Sequence, residues 1–206
     1  MAGVMERQRV GYFGGTFDPP HLGHTILAQE VCYQLDLDCL YWLITPDPPH
    51  KQGTSITPVQ DRLRMVERIV NRVPYFMISR LDLDRPAPHY AVESVEIARE
   101  LNPDSELIYL MGEDSLLDLP DWHQPVQFLA AVDLLAVAPR PGVEAKLEEI
   151  EPRLPGISQK TVLLQDVMVE ISSSVIRNRI RSGAPYRHFL DDQVADYLFE
   201  HKLYLD

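Results

Sequence analysis

Hydrophobic positions along this chain follow two alternating patterns. Short runs of β-branched, aromatic and aliphatic residues, typical of buried strands, are separated by stretches with apolar residues three and four apart, which is helical spacing. We predict strands at residues 10–13, 40–45, 75–78, 107–111, 134–138, 161–164 and 167–171. We predict helices at residues 22–35, 59–73, 90–101, 173–181 and 191–201.

The helix at 59–73 has the clearest pattern of the set. Thr57 offers an N-cap, and Pro58 suits the first helical position because proline lacks the N–H that would be unpaired there. The apolar side is formed by Val59, Leu63, Val66, Val70 and Val73. The charged residues, which we interpret as a solvated face with ion pairs and no function, are Asp61, Arg62, Arg64, Glu67, Arg68 and Arg72.

The order of these elements predicts the fold class. Strands that alternate with helices favour an α/β fold, a doubly wound parallel sheet with helices on both faces, here followed by a C-terminal helical segment. The strands at 107–111 and 134–138 are apolar throughout, as strands buried on both sides are. In such folds ligands bind at the carboxyl ends of the strands. The proline-rich stretch at 46–50 predicts a long surface loop.

Composition narrows the class of protein. The chain has 206 residues, 45% of them hydrophobic and 24% charged, which suits one packed domain over residues 1–206. The net charge of −12 has the wrong sign for a protein that neutralises a nucleic-acid duplex. Two cysteines, Cys32 and Cys39, are too few for a disulfide scaffold or a four-thiolate zinc site, so a reducing compartment is expected.

No stretch predicts a targeting or membrane segment. Glu6, Arg7 and Arg9 interrupt the N-terminal residues, and Asp133 interrupts the longest apolar stretch, at 128–138. We therefore expect a cytoplasmic protein with neither a membrane nor a nucleic acid as partner.

The most informative stretch is GGTFDPPHLGH, at 14–24, where the first strand meets the first helix. Gly14 and Gly15 would allow a tight turn whose N–H groups approach an anion, and the helix adds its positive N-terminal end. His21 and His24 are three apart, so a helix that begins near Pro20 would place both on one face of its first turn. Phosphate is the natural ligand of such a site.

Two other interpretations of this stretch are weaker. Zinc proteases place their paired histidines four apart with a glutamate between them, whereas Leu22 and Gly23 offer no such base. The stretch also lacks the G-x-x-x-x-G-K-[ST] phosphate loop and the G-x-G-x-x-G dinucleotide fingerprint. It is therefore a different arrangement for phosphate binding.

Further motifs strengthen this interpretation. GEDS at 112–115 is followed by Trp122, and ISSSVIR occupies 171–177. Together with H-x-G-H, these motifs resemble, in order and over nearly the whole chain, the bacterial nicotinate-nucleotide adenylyltransferases of the H-x-G-H nucleotidyltransferase superfamily. The resemblance implies a Rossmann-like fold. Smaller matching marks are PPHK at 48–51, PRPG at 139–142 and Leu203-Tyr204.

The resemblance implies an activity. Members of this family transfer AMP from ATP to nicotinate mononucleotide, releasing pyrophosphate and forming the dinucleotide precursor of NAD. It implies these two nucleotides as substrates and Mg²⁺ that arrives with ATP, and it leaves homo-oligomerisation open. Such in-line transfer needs positioned substrates and stabilised phosphate charge rather than a covalent intermediate.

The resemblance also implies roles for individual residues. His21 and His24 would be catalytic and contact the α-phosphate and the leaving phosphates. The implied ATP-binding residues are Gly14, Gly15, Thr16, Phe17, Gly112, Asp114, Ser172, Ser173, Ser174 and Arg177. The implied mononucleotide-binding residues are Lys51, Tyr90, Trp122 and Arg140. Among these, Asp114 would accept from the ribose of ATP, the serines and Arg177 would bind the β- and γ-phosphates, and Trp122 would stack on the pyridine ring.

The chain departs from the family beside the pyridine site. Ala91 stands where threonine is common, and His89 where a small serine is usual. Loss of a hydroxyl there keeps a second acceptor, nicotinamide mononucleotide, alone or together with the nicotinate form, as an alternative. Phosphopantetheine is disfavoured by the length of the chain and by Trp122. A nucleotide-binding sensor without turnover is the alternative from another class, although His21, His24 and Arg177 argue against it.

Overall fold

A computed structural model describes residues 7–48 and 55–205 of the chain. In these residues six strands form one parallel sheet with helices on both faces. The strands are β1 (Arg9–Gly15), β2 (Cys39–Ile44), β3 (Phe76–Ser79), β4 (Glu106–Gly112), β5 (Leu134–Ala138) and β6 (Thr161–Leu163). The helices are α1 (Leu22–Gln34), α2 (Val59–Val70), α3 (Ala91–Leu101), α4 (Glu113–Asp118), α5 (Pro125–Ala131), α6 (Leu147–Ile150), α7 (Ile157–Lys160), α8 (Ser173–Arg181) and α9 (Asp192–Glu200).

The strand order determines where a ligand can enter. The order is β3-β2-β1-β4-β5-β6, and every pairing is parallel. From β1 the chain adds β2 and β3 on one side, and it then returns to add β4, β5 and β6 on the other side. The connections that leave the neighbouring strands β1 and β4 therefore diverge, and a crevice opens at the carboxyl ends of these two strands. The predicted fold class, Rossmann-like α/β, is confirmed.

The period of two along each strand sends side chains into two cores. Along β4, Ile108 and Leu110 pack on the face covered by α1, α2, α8 and α9. Leu107, Tyr109 and Met111 pack on the opposite face, against α3 and α5. This is why residues 107–111 of β4 lack charged side chains: both faces of the sheet are buried there.

Helix α2 differs from its prediction in two ways. It begins at Val59 with Pro58 as its N-cap, so Thr57 is not the cap, and it ends at Val70, three residues early. The interpretation of Arg62 as part of a solvated face is wrong, since Arg62 is only 1% exposed. It lies three and seven residues before the buried Met65 and Ile69, which places all three on the core side of the helix.

The strand predicted at 167–171 is also wrong. These residues form no ladder in the described structure, because β6 is a three-residue edge strand and the chain turns across the carboxyl ends of the strands after it. The apolar pattern has another origin: Val167 is buried in the core, and Val169 and Ile171 line the crevice. No helix in the described ranges is long and apolar enough to cross a membrane.

Candidate active site

A cleft of about 870 Å³ lies at the carboxyl ends of the strands. This volume is in the range of small-molecule sites. Every predicted site residue that the structure describes lines it, whereas Lys51 lies outside the described residues. These lining residues are Gly14, Gly15, Thr16, Phe17, His21, His24, Tyr90, Gly112, Asp114, Trp122, Arg140, Ser172, Ser173, Ser174 and Arg177.

The two glycines do not form the predicted turn. Gly14 and Gly15 are the last residues of β1 and pair with β2. Glycine is needed for close packing instead: a Cβ on Gly14 would lie 2.1 Å from the Tyr109 hydroxyl oxygen, and one on Gly15 would lie 2.8 Å from the Phe17 ring. The left-handed conformation expected of a glycine turn falls on Phe17, whose φ is 50°. A bulky residue adopts it only when its surroundings hold it there.

The paired histidines lie at the start of α1. His21 is the N-cap residue and His24 the third helical residue, and the His21 N–H donates to His24 Nδ1 over 3.1 Å. The two rings stack with centroids 3.7 Å apart. Because His24 Nδ1 accepts, the proton of the neutral ring is assigned to Nε2. His24 therefore has a donor on the ring edge away from the backbone.

His21 has a different environment. The residue is 6% exposed, and its Nδ1 has no hydrogen-bond partner within the described chain. Burial, and to a lesser extent the Arg140 charge, lowers the pKa of His21 to about 4. His21 is therefore neutral at pH 7 in the ligand-free protein, and an anion beside it would favour the protonated form.

Gly23, the glycine of H-x-G-H, makes room for this ring. A Cβ at Gly23 would lie 3.0 Å from His21 Nδ1 and Cε1, and 3.2 Å from Val169 Cγ1. Glycine is otherwise unfavourable in the first turn of a helix, so its presence is explained by the ring that lies across it.

A second group of predicted residues meets at the end of β4. Asp114 and Arg140 form an ion pair, with Oδ2 and Nη1 3.0 Å apart. Gly112 is the N-cap of α4, and a Cβ there would lie 2.5 Å from Asp114 Oδ1, so glycine permits the carboxylate to fold back over the strand end. The structure thus brings Asp114 and Arg140 together on one side of the cleft.

The sequence interpretation missed Glu113. Its carboxylate is buried and accepts from the Ala145 N–H at 2.8 Å and the Arg140 N–H at 3.1 Å. Glu113 therefore fixes the loop after β5 that carries Arg140. The only signal for this role in the sequence was the position of Glu113 next to Asp114. That position does not show whether the Glu113 carboxylate is buried or solvated.

Helix α8 contributes the third group. Ser172 is its N-cap and accepts from the Val175 N–H. Ser173 Oγ donates to the Pro19 carbonyl at 2.9 Å, and Arg177 Nη1 donates to the Asp18 carbonyl at 2.6 Å. Two of the residues predicted to bind phosphate thus also hold the loop before the histidines in place.

Aromatic side chains form the fourth group. Trp122 packs edge-on against Phe128, and Tyr90 stacks on His123 with ring centroids 4.1 Å apart. The loop before Tyr90 is held by an ion pair missed from the sequence, in which Arg85 Nη2 lies 3.0 Å from Oδ1 of the buried Asp82. A flat heterocycle can stack on such walls.

The donors in the site suit an anion better than a resident metal ion. Among residues 7–48 and 55–205, no group of three or more His, Cys, Asp or Glu side chains could hold a metal ion. The cleft instead combines two imidazoles, the guanidinium groups of Arg140 and Arg177, and the N-termini of α1 and α8. That combination stabilises phosphate charge.

Comparison with known proteins agrees with this chemistry. The cytidylyltransferase-like family model matches residues 12–179. The "probable nicotinate-nucleotide adenylyltransferase" of Thermomicrobium roseum is 42% identical, covering 95% of this chain and 91% of that protein. The protein of the same name from Dehalococcoides mccartyi strain CBDB1 is 37% identical, covering 95% of this chain and 97% of its own length.

The fold is also similar to a solved structure. "Plasmodium falciparum nicotinic acid mononucleotide adenylyltransferase complexed with NaAD" superposes with a TM-score of 0.77 at 18% identity, covering 96% of this chain and 98% of that one. The chain belongs to the cytidylyltransferase-like family and, within it, to the nicotinate-nucleotide adenylyltransferases.

Proposed function

We propose that this protein transfers AMP from ATP to nicotinate mononucleotide, forming nicotinate adenine dinucleotide and pyrophosphate in NAD biosynthesis. A phosphate oxygen of the mononucleotide forms a bond to the α-phosphorus of ATP, while the bond from that phosphorus to the bridging oxygen of the β-phosphate breaks. The observation that carries this proposal is that His21, His24, Arg177 and the Asp114–Arg140 pair open onto one cleft that also contains Trp122.

The histidines act on the reacting phosphate in this proposal. His24 Nε2–H donates to an α-phosphate oxygen, where negative charge increases during transfer. His21, neutral before substrate binds, donates there or gains a proton as the triphosphate approaches. Neither histidine forms a bond to the substrate.

The remaining groups position the two nucleotides. Arg177 and the N-terminus of α8, with Ser172, Ser173 and Ser174, bind the β- and γ-phosphates. Asp114 accepts from the ribose hydroxyls of ATP. Backbone donors at Gly15, Thr16 and Phe17 contact phosphate and ribose.

The acceptor occupies the aromatic side of the cleft. Trp122 stacks on the pyridine ring, and Tyr90 lines the same region. Ala91, the first residue of α3, has no hydroxyl, and the nearby Ser94 hydroxyl already donates to Asp82 Oδ1 at 2.6 Å. We therefore propose that main-chain N–H groups, or His89, recognise the nicotinate carboxylate. Lys51 and Arg140 bind the mononucleotide phosphate.

A divalent cation accompanies the reaction, and we propose Mg²⁺ bound to ATP. When bound, it would neutralise negative charge on the triphosphate. In this proposal the cation enters with the nucleotide, since Mg²⁺ is commonly held by substrate phosphates. We also propose that residues 1–206 form a single domain, because one sheet takes strands from Arg9 to Leu163.

The test is pyrophosphate release by the purified protein with Mg-ATP and, in parallel, nicotinate mononucleotide, nicotinamide mononucleotide or phosphopantetheine. We expect preference for the nicotinate form. Comparable use of both mononucleotides would establish dual specificity, and Ala91→Thr would then test whether Ala91 is its cause. No release with any acceptor, together with ATP binding, would favour a nucleotide sensor and contradict the proposal.

A further inference from the structure

Arg62 is a buried cation that the proposed chemistry does not use. It projects from α2 into the core with 1% of its surface exposed, and it does not line the cleft. A buried guanidinium is costly unless its donors are paired. The hydrogen-bond partners of this guanidinium group therefore indicate the role of Arg62.

All four hydrogen bonds that Arg62 makes in the described structure go to backbone carbonyls near the cleft. Nη1 donates to the Thr16 carbonyl at 2.7 Å and the Thr45 carbonyl at 2.9 Å. Nη2 donates to the Pro46 carbonyl at 2.8 Å, and Nε to the Thr57 carbonyl at 2.9 Å. One side chain thus joins the loop after β1, the loop after β2 and the segment before α2.

The bond to Thr16 determines the direction of the next N–H group. In a trans peptide the C=O of one residue and the N–H of the next point in opposite directions. Since the Thr16 carbonyl points into the core toward Arg62, the Phe17 N–H points away from it, on the side where Thr16 and Phe17 line the cleft. The same bond helps to hold Phe17 at its φ of 50°.

We propose that Arg62 is a positioning residue. It orients the Phe17 N–H toward the triphosphate and fixes the loops after β1 and β2 relative to each other. The proposal rests on the proposed function for its substrate. Arg62 does not touch substrate in it; it acts through the Thr16–Phe17 peptide and through Thr45 and Pro46.

Arginine suits this position better than lysine. Its planar fork presents donors in several fixed directions, whereas an ammonium group is a point charge with three donors on a shorter reach. Burial lowers the pKa of Arg62, and the charge of the buried Asp18 carboxylate offsets part of that effect. A lysine at this position would also supply a positive charge beside Asp18, but it would not reproduce the fixed donor directions of the guanidinium group.

The first experiment compares Arg62→Lys with the native protein. The substitution retains the charge but not the four-carbonyl geometry. We expect kcat to fall about 10- to 100-fold, as a misplaced contact in the site would cause, with the KM for each nucleotide changed by less than about threefold. Amide hydrogen exchange of residues 14–18 and of Thr45 should accelerate, while exchange elsewhere is unchanged.

Arg64→Lys is the matched control. Arg64 lies on the same helix, and its side chain is 61% exposed and pairs only with Glu67 over 3.0 Å in the described structure. It should have native kcat and native exchange. Arg62→Met, which removes the charge, shows the effect of losing the cation if it folds, and the lysine variant decides the question if it does not.

Three results would overturn the proposal. The first is a kcat of Arg62→Lys within twofold of native with unchanged loop exchange. The second is an equal loss in Arg64→Lys. The third is accelerated exchange throughout the sheet, which would make Arg62 a stabilising residue of the whole fold rather than a positioning one.

A separate measurement keeps this test independent of turnover. Mg-ATP should protect residues 14–18 of the native protein from exchange, and Arg62→Lys should lose that protection. If the native protein releases no pyrophosphate with any acceptor, the proposed function fails, yet the protection data still decide whether Arg62 positions this loop. Equal protection in both proteins would contradict the role of Arg62.

Discussion

Within the H-x-G-H motif, two identical side chains acquire different properties from their surroundings. The tautomer of neutral His24 is assigned from one hydrogen bond, in which its Nδ1 accepts from the His21 backbone N–H. His21 is instead buried, with its pKa lowered to about 4. The two rings are therefore expected to respond differently to substitution and to pH.

The donor assigned to His24 can be tested by two amide substitutions. His24→Asn preserves an acceptor near Nδ1 but no donor near Nε2, whereas His24→Gln extends a donor toward Nε2. We expect His24→Asn to lose about 10²- to 10³-fold in kcat and His24→Gln to lose less, since a single lost donor to transition-state charge has that effect. Pyrophosphate release measures both, with the exposed His188→Ala as control. Equal losses in the two amide variants would contradict the assigned donor.

The lowered pKa of His21 predicts a pH-dependent stability. The unfolded chain takes up a proton near pH 6.5, whereas the folded protein does so only near pH 4. The contribution of neutral His21 is therefore complete above pH 6.5 and is lost as the pH falls from 6.5 to 4.

The measurement is urea unfolding at pH 7.0, 5.5 and 4.5 for the native protein and for His21→Asn, which lacks this titration. We expect the native protein to lose on the order of 2 kcal/mol more than the variant over this range. Parallel pH dependences would show that His21 is not buried as neutral imidazole.

Among the elements, the first turn of α1 shows how a helix start is adapted to its site. Its N-cap is a histidine rather than the serine or aspartate that helices favour, and its second helical residue is Gly23. Both choices lower helix stability in isolation. They are explained by the His21 ring, which occupies the space that a Cβ at Gly23 would need.

Gly23→Ala separates activity from stability at this helix. Alanine should favour the helix by about 1 kcal/mol, but its Cβ would displace the His21 ring by a few tenths of an ångström. We expect kcat to fall at least about 10-fold while the free energy of unfolding changes by less than about 1 kcal/mol. Rate assays and urea unfolding test this, and a native kcat would mean that the ring position is not critical.

Over the whole molecule, segments far apart in the sequence converge under the histidine loop. Tyr204, near the C-terminus, donates to the buried Asp18 carboxylate at 2.6 Å. Ser173 and Arg177 of α8 hold the carbonyls of Pro19 and Asp18 from another direction. The loop between β1 and α1 is thus fixed by contacts that exist only in the complete fold.

Tyr204→Phe tests this long-range connection. Removing the hydroxyl leaves a buried carboxylate short of one donor, which should lower the free energy of unfolding by about 1 to 3 kcal/mol. Tyr33→Phe, at a side chain that is 81% exposed, should be neutral. Urea unfolding of both variants provides the measurement, and equal stability would indicate that water replaces the Tyr204 hydroxyl.

Much of this architecture was accessible from local pattern. Strand β5 has the predicted bounds, and β1, β2, β3 and β4 differ from prediction by one or two residues at an end. Apolar runs identify the central strands β4 and β5 well because both of their faces are buried. Much of the cleft was also accessible, since the described site residues other than Trp122 and Arg177 lie at the end of a strand, just after it, or at the start of a helix. Helix α5 was missed because its seven residues span only two turns.

The sequence alone therefore determined the fold class and the end of the sheet at which the cleft lies, because periodicity is a local property, and the family resemblance of its motifs implied most of the residues that line the cleft. Only the tertiary structure decided why Gly14 is glycine, which carboxylate supports Arg140, and that Arg62 is buried rather than solvated. Each depends on a contact between residues distant in sequence, such as Tyr109 against Gly14 or Arg62 against Thr16. Hydrophobic pattern contains no information about such contacts, since burial of a polar group depends on the partners that the whole fold supplies.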